Sequence, residues 1–148
     1  MYIIDTIRKS AVAVAPDRPV SEAAAVMDAA GVGALAIIDG DDLVGIVTDR
    51  DLAVRALGRR LSLDARVDSV MSTPVVTIDA GADLHDAFAL FRANAIRRLA
   101  VVRDGRFAGM IATDDLLIDL AADLADLARP ITAEVVFGQH DAPVPVTT

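Results

Sequence analysis

Cysteine and tryptophan are both absent from this chain, so disulfides, thiol nucleophiles and cysteine-ligated metals are excluded. Aromatic residues make up only 3% of the 148 positions, too few for the stacking platforms on which single-stranded nucleic acid rests. Positive charge is also short: 14 Lys and Arg stand against 22 Asp and Glu, a net charge of −8, which opposes a phosphate backbone. No apolar run approaches the roughly 20 residues of a membrane span. The opening Met1-Tyr2-Ile3-Ile4-Asp5 soon meets Arg8 and Lys9 and lacks the apolar stretch of a signal peptide. The expectation is a cytoplasmic protein with no nucleic-acid partner and no membrane partner.

What the chain does have is small, branched apolar residues and a repeat. Hydrophobic residues reach 54%, much of it Ala and Val, a composition suited to close packing of helices on a sheet. A shift of 64 residues lays Val12 on Val76, Leu35 on Leu99, Gly45 on Gly109, Asp51 on Asp115 and Leu52 on Leu116 without a gap. Ala23, Ala25, Ala29 and Ala36 also recur, and apolar positions coincide nearly throughout, as in Val20/Leu84, Met27/Phe91 and Ile46/Met110. Tandem copies of one unit create clefts between them, where ligands lodge.

Within each copy the signals run strand, helix, strand, strand, helix. Residues 11–14 and 75–78 are β-prone runs. Ser21 reads as an N-cap with Glu22 in the first turn, and Asp83 as the cap of the second copy's helix. Apolar runs at Ala34–Ile38 and Leu43–Val47, and again at Leu99–Val102 and Phe107–Ile111, flank Asp-Gly turns and read as buried hairpins. A closing helix follows Thr48, and another follows Thr113 or Asp114. Residues 58–69 read as the connector. Arg129-Pro130 is expected to stop the last helix, leaving 129–148 as an extended or partly disordered arm. The division is therefore 1–62, 63–128 and the tail.

The string with chemistry in it is Gly45-Ile46-Val47-Thr48-Asp49-Arg50-Asp51-Leu52. A strand ends at Val47, and a hydroxyl and a carboxylate follow on the first turn of a helix. An Asp carboxylate can accept both ribose hydroxyls, while a Thr hydroxyl and free helix N–H groups face an anion. Thr-x-x-Asp is equally a capping box that satisfies those N–H groups with no ligand at all. The two readings can coexist.

Together with Val20-Ser21-Glu22-Ala23, Gly31-Val32-Gly33-Ala34, Met71-Ser72-Thr73-Pro74-Val75 and Ile96-Arg97-Arg98-Leu99, this string resembles the cystathionine-β-synthase (CBS) domain family. The tandem arrangement resembles what that family calls a Bateman module. The resemblance implies an α/β (α+β) fold of two β-α-β-β-α units packed pseudosymmetrically, and regulatory ligands such as AMP, ADP, ATP or S-adenosylmethionine. Carried over by position, Thr48 and Asp51 would hold phosphate and ribose in one cleft, and Asp115 the ribose in the other. Backbone near Ser10, Ala11 and Val12 and near Thr73, Pro74 and Val75 would face the base, and Arg97 or Arg98 would meet a phosphate. The chain departs from the family pattern at Ala112, where Ser or Thr is usual. Losing that hydrogen bond to a charged group costs about 1.5–3 kcal/mol, roughly tenfold or more in affinity, so unequal clefts are expected.

His85 and His140 do not cluster at metal-ligand spacing, and no phosphate-binding loop, nucleophile elbow or zinc-protease motif occurs. The sequence thus points to a module without catalysis and without a resident cofactor. It would be a homodimer acting on a regulated protein that the sequence does not identify. The rival reading is a structural or interaction module with vestigial, ligand-free clefts.

Overall fold

Two apolar runs joined by a two-residue turn fold back on each other, and the chain does this twice. The computed structural model describes residues 2–7 and 12–137. In the first copy β2 (Ala34–Asp39) pairs antiparallel with β3 (Asp42–Thr48), and β1 (Ala13–Val14) lies parallel to β2, giving the order β1-β2-β3. The second copy repeats this with β4 (Thr77–Asp79), β5 (Arg98–Arg103) and β6 (Arg106–Ala112). Each hairpin has a register irregularity at the same place, Ile37/Ile38 and Val101/Val102. In the second turn, Asp104 (φ 52°) and Gly105 (φ 75°) both take the left-handed conformation that a two-residue hairpin with right-twisted strands favours.

Helix α1 (Val20–Ala30) buries Val20, Ala23 and Met27, and α3 (Leu84–Asn94) buries Ala87 and Phe91. These positions recur every three to four residues, so one stripe of each helix faces its sheet. The first core gathers Leu35, Ile37 and Val47 under α1, and the second gathers Leu99, Val101, Ile111 and Leu116 under α3. Helix α2 (Asp49–Leu57) begins as a single α turn and continues from Leu52 as a π turn, with Gly58 N–H donating to the Ala53 carbonyl at 2.9 Å. Helix α4 (Thr113–Phe137) closes the chain.

The units in space are not the units in sequence. Fully buried Val67 and Val70 belong to the first core, while fully buried Ile3 belongs to the second. The two strap segments bind alike: Val67 N–H donates to the Arg18 carbonyl at 2.8 Å, and Ile3 N–H to the Ala82 carbonyl at 2.9 Å. A cut at 62/63 therefore separates the first core from residues 65–71 and assigns Ile3 to the wrong half. The apolar residues of both straps are satisfied only by partners distant in sequence.

Gly45 and Gly109 recur for a related reason. A Cβ at Gly45 would run into the Met71 side chain and lie 3.2 Å from the Ser72 carbonyl oxygen, and one at Gly109 would lie 2.7 Å from Ile7 Cδ1. Each glycine lets a strap cross its hairpin. At Gly45 the crossing is fixed by Ser72 N–H donating to the Ile46 carbonyl at 2.8 Å and Ile46 N–H donating back at 3.1 Å.

Two local expectations are corrected. Ser21 is not the cap of α1: the helix starts at Val20 behind Pro19, with no side-chain cap. The Val20 and Ser21 N–H groups donate instead to the Ala65 and Leu63 carbonyls at 2.8 and 3.2 Å, so the connector does the capping. Arg129-Pro130 does not stop the last helix, which runs through Pro130 to Phe137. A proline removes one helical hydrogen bond, and the Ala- and Leu-rich turns before it favour helix strongly enough to continue. Residues 138–148 lie outside the described residues.

Candidate functional site

Strand alternation decides what the end of β3 presents. Thr48 and Ile46 are two residues apart and share a face, and both line a cleft of about 200 Å³ at the seam between the copies. Its other walls are Ser72, Pro74, Val75 and Val76 from the second strap and Ile96, Arg97 and Arg98 at the entry of β5. The cleft therefore has apolar walls, two hydroxyl-bearing residues, Thr48 and Ser72, and two arginines.

Of the residues predicted from sequence, Thr48, Pro74, Val75, Arg97 and Arg98 come together here. Asp51 lies behind Thr48 in a reciprocal cap: Thr48 N–H donates to Asp51 Oδ2 at 2.9 Å, and Asp51 N–H donates to Thr48 Oγ1 at 3.1 Å. Arg55 braces the same carboxylate, with Nε 3.7 Å from Asp51 Oδ1. Thr73 lines a different and shallower hollow of about 800 Å³, beside Asp41, Asp42 and Met71. Val12 packs against the first core, and its carbonyl accepts from the Ala36 N–H at 3.1 Å. Ser10 and Ala11 lie outside the described residues. Ile46, Ser72, Val76 and Ile96 were not picked out from sequence, although β3 alternation already implies Ile46 once Thr48 faces the cleft.

The two arginines differ. Arg97 is exposed and faces Asp114 at 3.6 Å, with side chains 80% and 73% accessible, so water screens that pair heavily. Arg98 is half-buried and reaches across the seam to Gly33. A Cβ there would sit 3.4 Å from Arg98 Nη2 and 3.2 Å from Asp49 Oδ2. Among the described residues no carboxylate comes within 4 Å of the Arg98 guanidinium. A partly desolvated cation without a close counter-ion is a ready partner for an anion.

The second copy is built differently at each of these points. Asp115 lies in the first turn of α4, but Ala112 stands where Thr48 stands, so no side-chain oxygen caps that helix from this position. Thr113, one residue later, donates from Oγ1 to the Arg97 carbonyl at 3.3 Å. Gly33 and Ala34 occupy the positions equivalent to Arg97 and Arg98. Among the described residues, a cleft around Asp115 thus has no counterpart of the Thr48 hydroxyl or of Arg97 and Arg98, and residues 8–11, the equivalents of the strap 72–75, lie outside the described residues.

Among the described residues there is no grouping of three or more metal-ligating side chains, and no helix is long and apolar enough to cross a membrane. The chain matches the CBS domain twice, over residues 3–58 and 67–122. It is 33% identical over 115 residues to the CBS domain-containing protein YhcV of Bacillus subtilis, covering 78% of this chain and 82% of that protein. Two of the solved structures that share its fold hold adenosyl ligands. One is the CBS domain protein PAE2072 from Pyrobaculum aerophilum complexed with AMP, with TM-score 0.72, 23% identity, and 82% and 99% of the two chains covered. The other is the CBS domain pair of protein MJ0100 with 5-methylthioadenosine and S-adenosyl-L-methionine, with TM-score 0.74, 22% identity, and 83% and 98% covered.

Proposed function

The chain belongs to the CBS-domain family, matched in both halves, and from that premise we propose that it is a non-catalytic regulatory module. It binds an adenine nucleotide or adenosyl ligand (AMP, ADP, ATP or S-adenosylmethionine) in the Thr48 cleft and thereby alters contact with a regulated protein. The observation that carries this reading is Arg98, a half-buried guanidinium with no carboxylate within 4 Å among the described residues, set beside a hydroxyl and apolar walls. The AMP, methylthioadenosine and S-adenosylmethionine named for the two solved relatives supply the ligand class.

The cleft's size supplies a mechanism. At about 200 Å³ it is smaller than the 300–1,000 Å³ of ordinary small-molecule pockets. A complete nucleotide fits only if the copies part or the ligand reaches into solvent. A ligand that binds the parted arrangement better shifts the population toward it, and the helical faces transmit the change. In the proposal these faces also join two chains as a homodimer.

The reading of a scaffold with vestigial clefts has one observation in its favour: Thr48 and Asp51 already satisfy each other. A thermal-shift and calorimetric screen against AMP, ADP, ATP and S-adenosylmethionine separates the two. Saturable binding supports the regulatory module, and silence from all four ligands supports the scaffold.

A further inference from the structure

Pro74 and Val75 line two spaces at once: the Thr48 cleft and the shallow hollow of about 800 Å³ beside Asp41 and Asp42. The strap is thus a wall common to both. Like the cleft, the hollow spans the seam, taking Asp41, Asp42, Leu43 and Val44 from the first copy and Val102 and Gly105 from the second.

Leu43, Val44, Met71, Val75 and Val102 are half-buried and give the hollow an apolar floor. Its first-copy rim is acidic. Asp42 pairs across the hairpin end with Asp39, and like charges placed opposite each other cost stability. Asp39, Asp41 and Asp42 are all exposed, and among the described residues no Lys or Arg nitrogen comes within 4 Å of their carboxylates. The second copy pairs Arg103 with Arg106 at the corresponding hairpin end. The negative sign therefore belongs to the first hairpin and is not a requirement of the repeat.

We infer that this hollow is the docking groove for the regulated protein, and that it takes an extended segment in which apolar residues alternate with Lys or Arg. Successive side chains of such a segment point to opposite sides, so the apolar set fills the floor while the cations reach Asp41 and Asp42. Opposite charge at that rim fixes the register. Arg106, next to Gly105 on the far rim, repels further cations and confines the basic stretch to the Asp41 end. A seated segment touches both copies as they stand here and so favours the closed seam, whereas a complete nucleotide favours the parted one. The two ligands oppose each other through that shift. This inference rests on the proposed regulatory role and gives its partner a chemistry and its coupling a sign.

Fluorescence anisotropy of a labelled hexapeptide alternating Leu and Arg, titrated with the full chain, tests the groove without nucleotide. Saturable binding is expected, about tenfold weaker in the Asp41→Asn, Asp42→Asn double variant and unchanged in Asp123→Asn, which removes a charge on α4. A peptide with Gly in place of each Leu should also bind about tenfold or more weakly, because the floor stays unfilled. Saturating AMP should weaken the Leu-Arg peptide by about fivefold or more, and the peptide should weaken AMP by the same factor. Absence of peptide binding, equal binding by the double variant, or equal binding of the Gly-Arg peptide would each overturn the groove. Self-association of the chain that the double variant abolishes would overturn it too, by giving the hollow to a second copy. Peptide binding that bound AMP leaves unchanged or strengthens would overturn the opposition. A chain that binds the peptide and not AMP removes the nucleotide reading and leaves the groove, and one that binds AMP and not the peptide does the reverse.

Discussion

Thr48 and Asp51 close on each other across the first turn of α2, backbone N–H to carboxylate at 2.9 Å and backbone N–H to hydroxyl at 3.1 Å. The same two groups are those the family resemblance assigns to phosphate and ribose. A residue pair that caps a helix when the cleft is empty is held in a fixed rotamer, which reduces the entropy lost when a ligand arrives. Capping and binding are thus compatible, and substitutions can separate them.

Thr48→Val removes the hydroxyl and keeps the shape. The expected loss is about 0.5–2 kcal/mol of stability from the cap, measured by urea unfolding without ligand, together with roughly tenfold weaker nucleotide binding. Thr48→Ser should retain both. A Val variant with wild-type stability would contradict the cap, and one with wild-type affinity would contradict the hydroxyl's role toward the ligand.

Ala112→Ser runs the comparison in the other direction. A hydroxyl at the residue before α4, three positions ahead of Asp115, recreates the reciprocal cap, and the expected gain is about 1 kcal/mol in stability. Because Gly33 and Ala34 replace the two arginines there, affinity at the second cleft should rise far less than Thr48 contributes at the first. Nucleotide binding at the two clefts becoming equal would contradict the role given to Arg98.

The exchanged straps make a prediction that a division at 62/63 does not. Ile3→Ala should destabilise the chain by about 2–5 kcal/mol and should raise hydrogen exchange in β4–β6, although Ile3 precedes the whole first copy. Val67→Ala should raise exchange in β1–β3. Exchange increases confined to each residue's own sequence half would refute the exchange.

Acid should loosen one strap and one helix start. The Asp86 backbone N–H donates to Asp83 and holds its carboxyl below the usual range, and hydrogen bonding from Arg66 does the same for Asp68. A carboxyl whose pKa falls on folding contributes stability that is present above its unfolded pKa, near about 4, and is lost as pH drops through the folded value. The stability difference between wild type and the Asp68→Asn, Asp83→Asn double variant should therefore be constant above about pH 5 and shrink below about pH 4. A difference that stays constant through the acid range would refute the assignment.

Much of this was legible in the sequence because it is local or periodic. The hairpins, the Asp83 cap and the Thr48 box each depend on residues a few positions apart, and the 64-residue register predicted the pairing of copies. What was not legible depends on distant partners. Ser21 lost its capping role because the Ala65 and Leu63 carbonyls reach the helix start first, and the straps pack against cores remote in sequence. The opposing guanidinium groups at Arg97 and Arg98 could be named as candidates, but only the fold shows that Arg98 crosses to Gly33 while Arg97 faces solvent.

The central claim is that the seam beside Thr48 and Arg98 receives an anionic adenosyl ligand. Calorimetric titration of AMP into wild type and Arg98→Ala tests it most directly, with circular dichroism confirming that the variant is folded. The account predicts saturable binding by wild type and an affinity at least about tenfold lower in the variant, the loss of one hydrogen-bonded charge contact. Equal affinity in the two proteins would contradict it.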